Sequence, residues 1–183
     1  MAEFFQTLME RRSIRNYTDQ PVSGEELQKI LSAVQMSPSW ANCQCWEIVV
    51  VSDPEIKSAL GETLAKGNPA AKCFSRAPLV LALVAKKNTS GFYKGVVTTK
   101  FGDWFMFDMG ICCQSLCLAA QDLGLGTVVV GLFDQDRAAA ILKVPEGFDL
   151  VSLVPLGHPE KVPSAPKRRE ISEFSHKNVF GGK

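Results

Sequence analysis

Residues 101–124, FGDWFMFDMGICCQSLCLAAQDLG, carry the longest apolar run of the chain. Asp103, Asp108, Gln114 and Gln121 interrupt it at intervals too short for the ~20 apolar residues that a membrane span needs. A helix so nearly apolar on every side must be covered by other protein elements. Short runs rich in β-branched residues flank it: EIVVVS (47–52), LVLALVA (79–85), TVVVGLF (127–133) and FDLVSLVPLG (148–157). These read as strands, and the continuous run 79–85 has the pattern of a strand buried on both faces.

The intervening segments read as helices. Phe4, Phe5, Leu8 and Met9 recur at helical spacing and define a first helix with arginines in its last turn. Ser23 to Glu26, SGEE, has the form of a capping box, followed by the apolar stripe Leu27, Ile30, Leu31 and Val34. Pro38 ends this second helix, and PSWANCQCW (38–46) follows as a polar, aromatic-bearing loop. Asp53 caps a third helix with Pro54 in its first turn. AAKCFSRA (70–77) and DRAAAIL (136–142) supply two more, and Gly124 terminates the central one. Lys86 to Lys100, rich in Asn, Thr, Ser, Gly and Lys, reads as a mobile loop. Two helices precede any strand, so the expected architecture is α+β, a sheet wrapped by helices in one domain spanning 1–183. There is no linker or repeat.

At 183 residues the chain buries on the order of 70% of the surface it would expose unfolded. Lys plus Arg number 20 against 19 Asp plus Glu, a formal charge of +1, which leaves no global field for nucleic acid or an anionic membrane. Six cysteines without a preceding signal peptide are expected to be reduced thiols in a cytoplasmic protein. Metal binding is not expected: His158 and His176 supply few partners and there is no paired C-x-x-C motif.

Against this neutral background MERRSIRNY (9–17) gathers Arg11, Arg12 and Arg15 around Ser13. A helix C-terminus favours a cation by ~0.3–1 kcal/mol, which one arginine would satisfy. Three repel one another unless an anion neutralises them. Guanidinium forks and a hydroxyl suit a phosphate, so the cluster is either a solvated helix end or an anion site. A second basic run, PKRRE, contains Lys167, Arg168 and Arg169; in an extended segment Lys167 and Arg169 share a face and Arg168 points away.

RRSIRNY, PVSGEELQKILSAVQMSPSWANCQCWEIVVVSDP, AAQDLGLGTVVVGLF, VPLGHPEK and PKRREISEFSHKNVF, taken in order, resemble the nitroreductase family of FMN-dependent oxidoreductases over nearly the whole chain. The resemblance implies a central, mostly antiparallel sheet wrapped by helices. It also implies a homodimer with FMN at the subunit interface, and residues 158–183 as an extended tail on the partner subunit. It places Arg11, Arg12, Ser13 and Arg15 on the flavin, Arg11 at the phosphate and Arg15 toward the pyrimidine edge, with Lys167 and Arg169 closing on the same phosphate. Pro38, Ser39, Trp40 and Asn42 match the loop that the partner lays against the flavin. Gly131 and Leu132 match the backbone segment near flavin N5, and Lys72 is a further ring-contacting candidate.

The implied activity is hydride transfer from NADH or NADPH through the flavin to nitroaromatic, quinone or similar electron-poor small molecules. No catalytic acid, base or nucleophile of the protein is required. Without a G-x-G-x-x-G fingerprint, the nicotinamide is expected to visit only transiently. Cys45 stands where the family usually has proline, with Cys43 two residues earlier, and either packing or a redox role follows. Gly131 replaces an acidic residue of some members, and the 86–100 loop with Phe92 and Tyr93 is expected to set acceptor preference. The alternatives are a dehalogenase-like or other flavin reaction of the superfamily, and a non-catalytic FMN-binding protein.

Overall fold

The computed structural model describes residues 3–182. Helices α1 (Glu3–Glu10) and α2 (Gly24–Gln35) precede strand β1 (Trp46–Val51). Then come α3 (Pro54–Gly61), α4 (Ala71–Arg76), β2 (Leu79–Lys86) and a small hairpin, β3 (Phe92–Tyr93) with β4 (Val96–Val97). The central helix α5 (Phe105–Asp122), β5 (Gly126–Thr127), α6 (Gln135–Ile141) and β6 (Phe148–Gly157) complete the body. Local signals set the helix starts as expected. Ser23 and Glu26 form the reciprocal capping box of α2, and the Asp53 carboxylate accepts from the N–H groups of Glu55 and Ile56, 2.9 Å each, ahead of Pro54.

The four-stranded sheet has the order β1-β2-β6-β5, antiparallel throughout. β2 is buried on both faces because its alternate residues enter different cores. Val80, Ala82 and Val84 pack with Leu60, Cys73, Phe74 and Ala138 of α3, α4 and α6. Leu81, Leu83 and Ala85 pack with Ile30 and Val34 of α2 and Met109, Cys112 and Leu116 of α5. A bulge at Leu83/Val84 opposite β6 leaves Val151 without a partner on β2; the local bend it introduces turns this part of β6 toward α5.

Four expectations are corrected. The arginines lie beyond α1, which ends at Glu10, and α5 begins at Phe105 instead of Phe101. The stretch 127–133 is not one strand: β5 stops at Thr127 and only Val130 rejoins, bridging Leu153. Thr127 faces Leu156 and Val130 faces Leu153, so Val128 stands opposite Pro155, which has no N–H to donate and interrupts the ladder. The 86–100 segment holds the β3–β4 hairpin. Lys94 (φ 50°) and Gly95 (φ 78°) form its two-residue turn, a left-handed pair for which Asn-Gly is the commoner sign.

Ser13 lies beside Thr127 as a parallel bridge, and a Cβ on Gly126 would sit 2.5 Å from Cγ1 of the buried Ile14. Gly126→Ala is therefore expected to destabilise the protein by about 1–3 kcal/mol. In urea titration this lowers the midpoint with an unchanged slope; an unaltered midpoint would mean that the 11–15 segment slides freely past β5.

Candidate active site

The segment after α1 is held as an added edge of the sheet. The Ile14 N–H donates to Thr127 O at 2.8 Å, Thr18 N–H to His158 O at 3.0 Å, and Glu160 N–H to Asn16 O at 3.0 Å. Tyr17, fully buried, bridges Pro159 and directs its hydroxyl between the carbonyl oxygens of Ile14 (2.8 Å) and Pro155 (3.1 Å). Burial above all pushes its phenol far above the ordinary range, so it stays protonated and keeps its hydrogen for those carbonyls. The consequence is spatial: the arginines and the start of the tail run side by side.

Two adjoining hollows result. One, about 270 Å³, is lined by Arg11, Arg12, Ser13 and Arg15 on one wall and by Pro163, Ser164, Pro166 and Arg168 on the other. The second, about 420 Å³, shares Arg11 and Ser13 and continues along α5 to Val129 and Gly131 and onto the bulged part of β6. Each cation has a distinct setting. Arg12 folds back, its Nη1 donating to Met9 O (2.5 Å) and Arg11 O (2.8 Å), and so takes the helix-end role. The Nη1 of Arg15 donates to Ser13 O at 3.4 Å and the residue is exposed. Arg11, half-buried, belongs to both hollows.

The other expected residues divide. Gly131 lines the larger cleft and Leu132, 68% exposed, follows it where the chain leaves the Val130–Leu153 bridge. In the tail Arg168 faces the arginine pocket. Arg169 is engaged within its own turn, donating to Glu173 O and lying 5.8 Å from the Phe174 ring centre, while Lys167 is exposed and lines neither hollow. In this tail it is Arg168, and not the Lys167–Arg169 pair, that meets the pocket. Lys72 is exposed on α4, away from both hollows. Pro38, Ser39, Trp40 and Asn42 also line neither within one chain. Their loop is tightly wound, with Ala41, Asn42 and Gln44 at φ 44°, 55° and 47°, a conformation costly for residues with a Cβ and often kept at functional sites.

Met106, Gly110 and Gln114 of α5 were not foreseen as lining residues. They recur every fourth position, one helical face, and a glycine and a glutamine inside an otherwise apolar helix were the available signal. Cys113 and Cys117 line the same cleft. A hydrogen bond from Cys113, then Thr127 and the charge of Arg11, lower the Cys117 thiol below its ordinary range despite burial. Cys113 is pushed the other way by the same hydrogen bond and by burial. Burial, then Asp108, raises Cys112 to about 12.

At the first turn of α5, Asp108 ties the loop to the helix. Its carboxylate accepts from the Ser90 hydroxyl (2.7 Å), from the Trp40 N–H (3.2 Å to each oxygen), and from the thiols of Cys43 (3.6 Å) and Cys45 (3.7 Å). Burial, then Cys43 and Asp108, hold the Cys45 thiol well above its ordinary range. Beside this hub Trp104 packs at a tilt against Trp40, Phe101 and Phe107, with ring-centre distances of 6.0, 5.5 and 5.3 Å. Phe101 and Phe107 remain exposed.

The profile of the Nitroreductase family matches residues 8–73 and 65–158. Among curated relatives, "FMN reductase [NAD(P)H]" of Bacillus subtilis is 30% identical over 98% of this chain and 75% of its own length. Among solved structures, an FMN-dependent nitroreductase from Clostridium difficile superposes with a TM-score of 0.73 at 26% identity, covering 96% of each chain. The NADPH:FMN oxidoreductase of Vibrio harveyi complexed with NAD+ does so with a TM-score of 0.80 at 25% identity, over 96% of this chain and 77% of its own.

Because Cys117 lines the cleft beside Arg11, its alkylation by iodoacetamide should reach its midpoint at a lower pH than that of Cys112, read by peptide mass spectrometry. Arg11→Ala moves that midpoint upward, because the neighbouring cation favours the thiolate. Equal labelling of Cys112 and Cys117 at every pH would contradict this.

Proposed function

The chain belongs to the nitroreductase family, and from that premise we propose that it is an NAD(P)H-dependent FMN oxidoreductase that reduces electron-poor small molecules such as nitroaromatics and quinones. The observation that carries this reading is the junction at Arg11 and Ser13, where a basic pocket opens into a longer cleft. A dianionic phosphate attached to a flat heterocycle matches that pair of hollows in charge and shape.

Arg11, Ser13 and Arg15 would hold the phosphate and the polar edge of FMN, and Arg12, its Nη1 kept by the end of α1, would add its charge at the pocket wall. Arg168 joins them from the tail, and Lys167 and Arg169 complete the closure once the tail is seated on a second subunit. Gly131 and Leu132 offer backbone N–H groups near the redox-active edge. When bound, FMN supplies acceptance and release of hydride at its ring nitrogen N5, chemistry that belongs to the cofactor. The chain's own residues orient the ring, hold positive charge beside it and keep water off the half of the cleft formed by Met106, Met109 and Val129.

A homodimer completes the site. α1 buries none of its residues, and Phe4 and Phe5 are each 60% exposed. Residues 161–181 are exposed throughout, with Phe180 at 95%. So much uncovered apolar surface calls for a second copy, whose Pro38–Asn42 loop would then reach the first copy's cleft.

The purified protein is expected to be yellow, to bleach anaerobically with NADH or NADPH, and to recover colour with a quinone or nitroaromatic. Arg11→Ala loses a charge-assisted contact of about 1.5–3 kcal/mol, which weakens FMN binding roughly 10- to 150-fold, measured by flavin fluorescence. A colourless protein that takes up no added FMN would defeat the proposal. Light scattering should report twice the chain mass, and removal of residues from Pro163 onward should lower both the dimer fraction and flavin affinity.

A further inference from the structure

Asp108 is 1% exposed, and among the described residues no ion pair joins its carboxylate to a lysine, arginine or histidine. A carboxylate buried that deeply is ordinarily paired with a cation or bound to a metal. Two thiols face it instead, from the C-x-C of the loop, where Gln44 in its left-handed conformation winds Cys43 and Cys45 into a tight turn. Their sulfurs lie 3.6 and 3.7 Å from one and the same oxygen, Oδ2, and the three donor atoms lie within 4.8 Å of one another.

The two sulfur-to-oxygen edges of that triangle match those of one face of a coordination tetrahedron. With Zn–S of about 2.3 Å and Zn–O of about 2.0 Å, a tetrahedral zinc has S···O edges of about 3.5 Å. The carboxylate is already oriented by two outer donors, the Ser90 hydroxyl at 2.7 Å and the Trp40 N–H at 3.2 Å, as metal-ligating carboxylates usually are. Cys43 is only half-buried and supplies an approach from solvent.

We propose that Cys43, Cys45 and Asp108 form a binding site for a thiophilic divalent cation of the zinc class, with water in the fourth position. Two thiolates select such an ion over magnesium or calcium. Binding displaces two thiol protons to solvent and leaves the carboxylate a ligand, with no change of oxidation state. The ion would pin the 38–45 loop to α5. The sequence reading set metal binding aside for want of histidines and of a C-x-x-C pair; the third donor comes from a helix 63 residues beyond Cys45, which no local spacing reveals.

The test uses the full chain with FMN added, purified without chelator and dialysed against buffered free zinc, with metal counted by mass spectrometry. Wild type is expected to retain one zinc per chain through gel filtration, and Cys43→Ser and Cys45→Ser none. Ser90→Ala, which removes only an outer hydrogen bond, should weaken binding about 10- to 100-fold. Cobalt(II) in place of zinc should give thiolate-to-metal absorption in a difference spectrum against Cys43→Ser. Circular dichroism verifies folding, and should Cys45→Ser fail to fold, the half-buried Cys43→Ser carries the comparison. A folded wild type that retains no zinc at saturation, or a zinc that survives both serine substitutions, overturns the site.

Discussion

The fully buried Tyr17 hydroxyl, set between the carbonyls of Ile14 and Pro155, is the contact on which the arrangement of the active site depends. It closes the amino-terminal segment onto β6 at the point where Pro155 has interrupted the ladder to Val128. A carbonyl left without its strand partner thereby gains a donor. Because Tyr17 also bridges Pro159, the polypeptide that leaves the sheet toward the tail starts beside the arginines. Cations from both ends of the chain meet through this local geometry, with no long-range charge attraction needed to bring them together.

The central helix performs two tasks with adjoining faces. Its apolar side fills the core between α2 and the sheet through Cys112 and Leu116, with Met109 at the border between core and cleft. Its Met106–Gly110–Gln114 face forms a wall of the cleft. Asp108, in its first turn, reaches a third direction and gathers the strained 38–45 loop and Ser90. A left-handed conformation at three non-glycine positions costs energy, and the hydrogen bonds to one buried carboxylate hold it together with those inside the loop, such as Gln44 N–H to Ser39 Oγ at 2.9 Å. Loop, helix and hairpin entrance are thus joined through one carboxylate.

Much of this was legible beforehand because it is local. Capping at Ser23 and Asp53 depends on residues two or three positions apart, and β2 declares its double burial by an unbroken apolar run. The gathering of Arg11, Ser13 and Arg15 was equally plain, as was the α+β class. Legibility failed where partners are distant in the chain. Nothing in TVVVGLF discloses that Pro155 will stand opposite Val128, and nothing in PKRRE discloses that the tail turns Arg168, not Lys167, toward the pocket.

The amino-acid order by itself determined the elements, the basic cluster and the family, since periodicity, capping chemistry and ordered motifs are properties of neighbouring residues. Only the tertiary structure decided which cations share a hollow, which face of α5 lines the cleft, and that Cys43, Cys45 and Asp108 converge. Those facts arise from register between strands and from the packing of elements far apart in the chain, where a single proline without an N–H, or one buried tyrosine, redirects the path of everything attached to it.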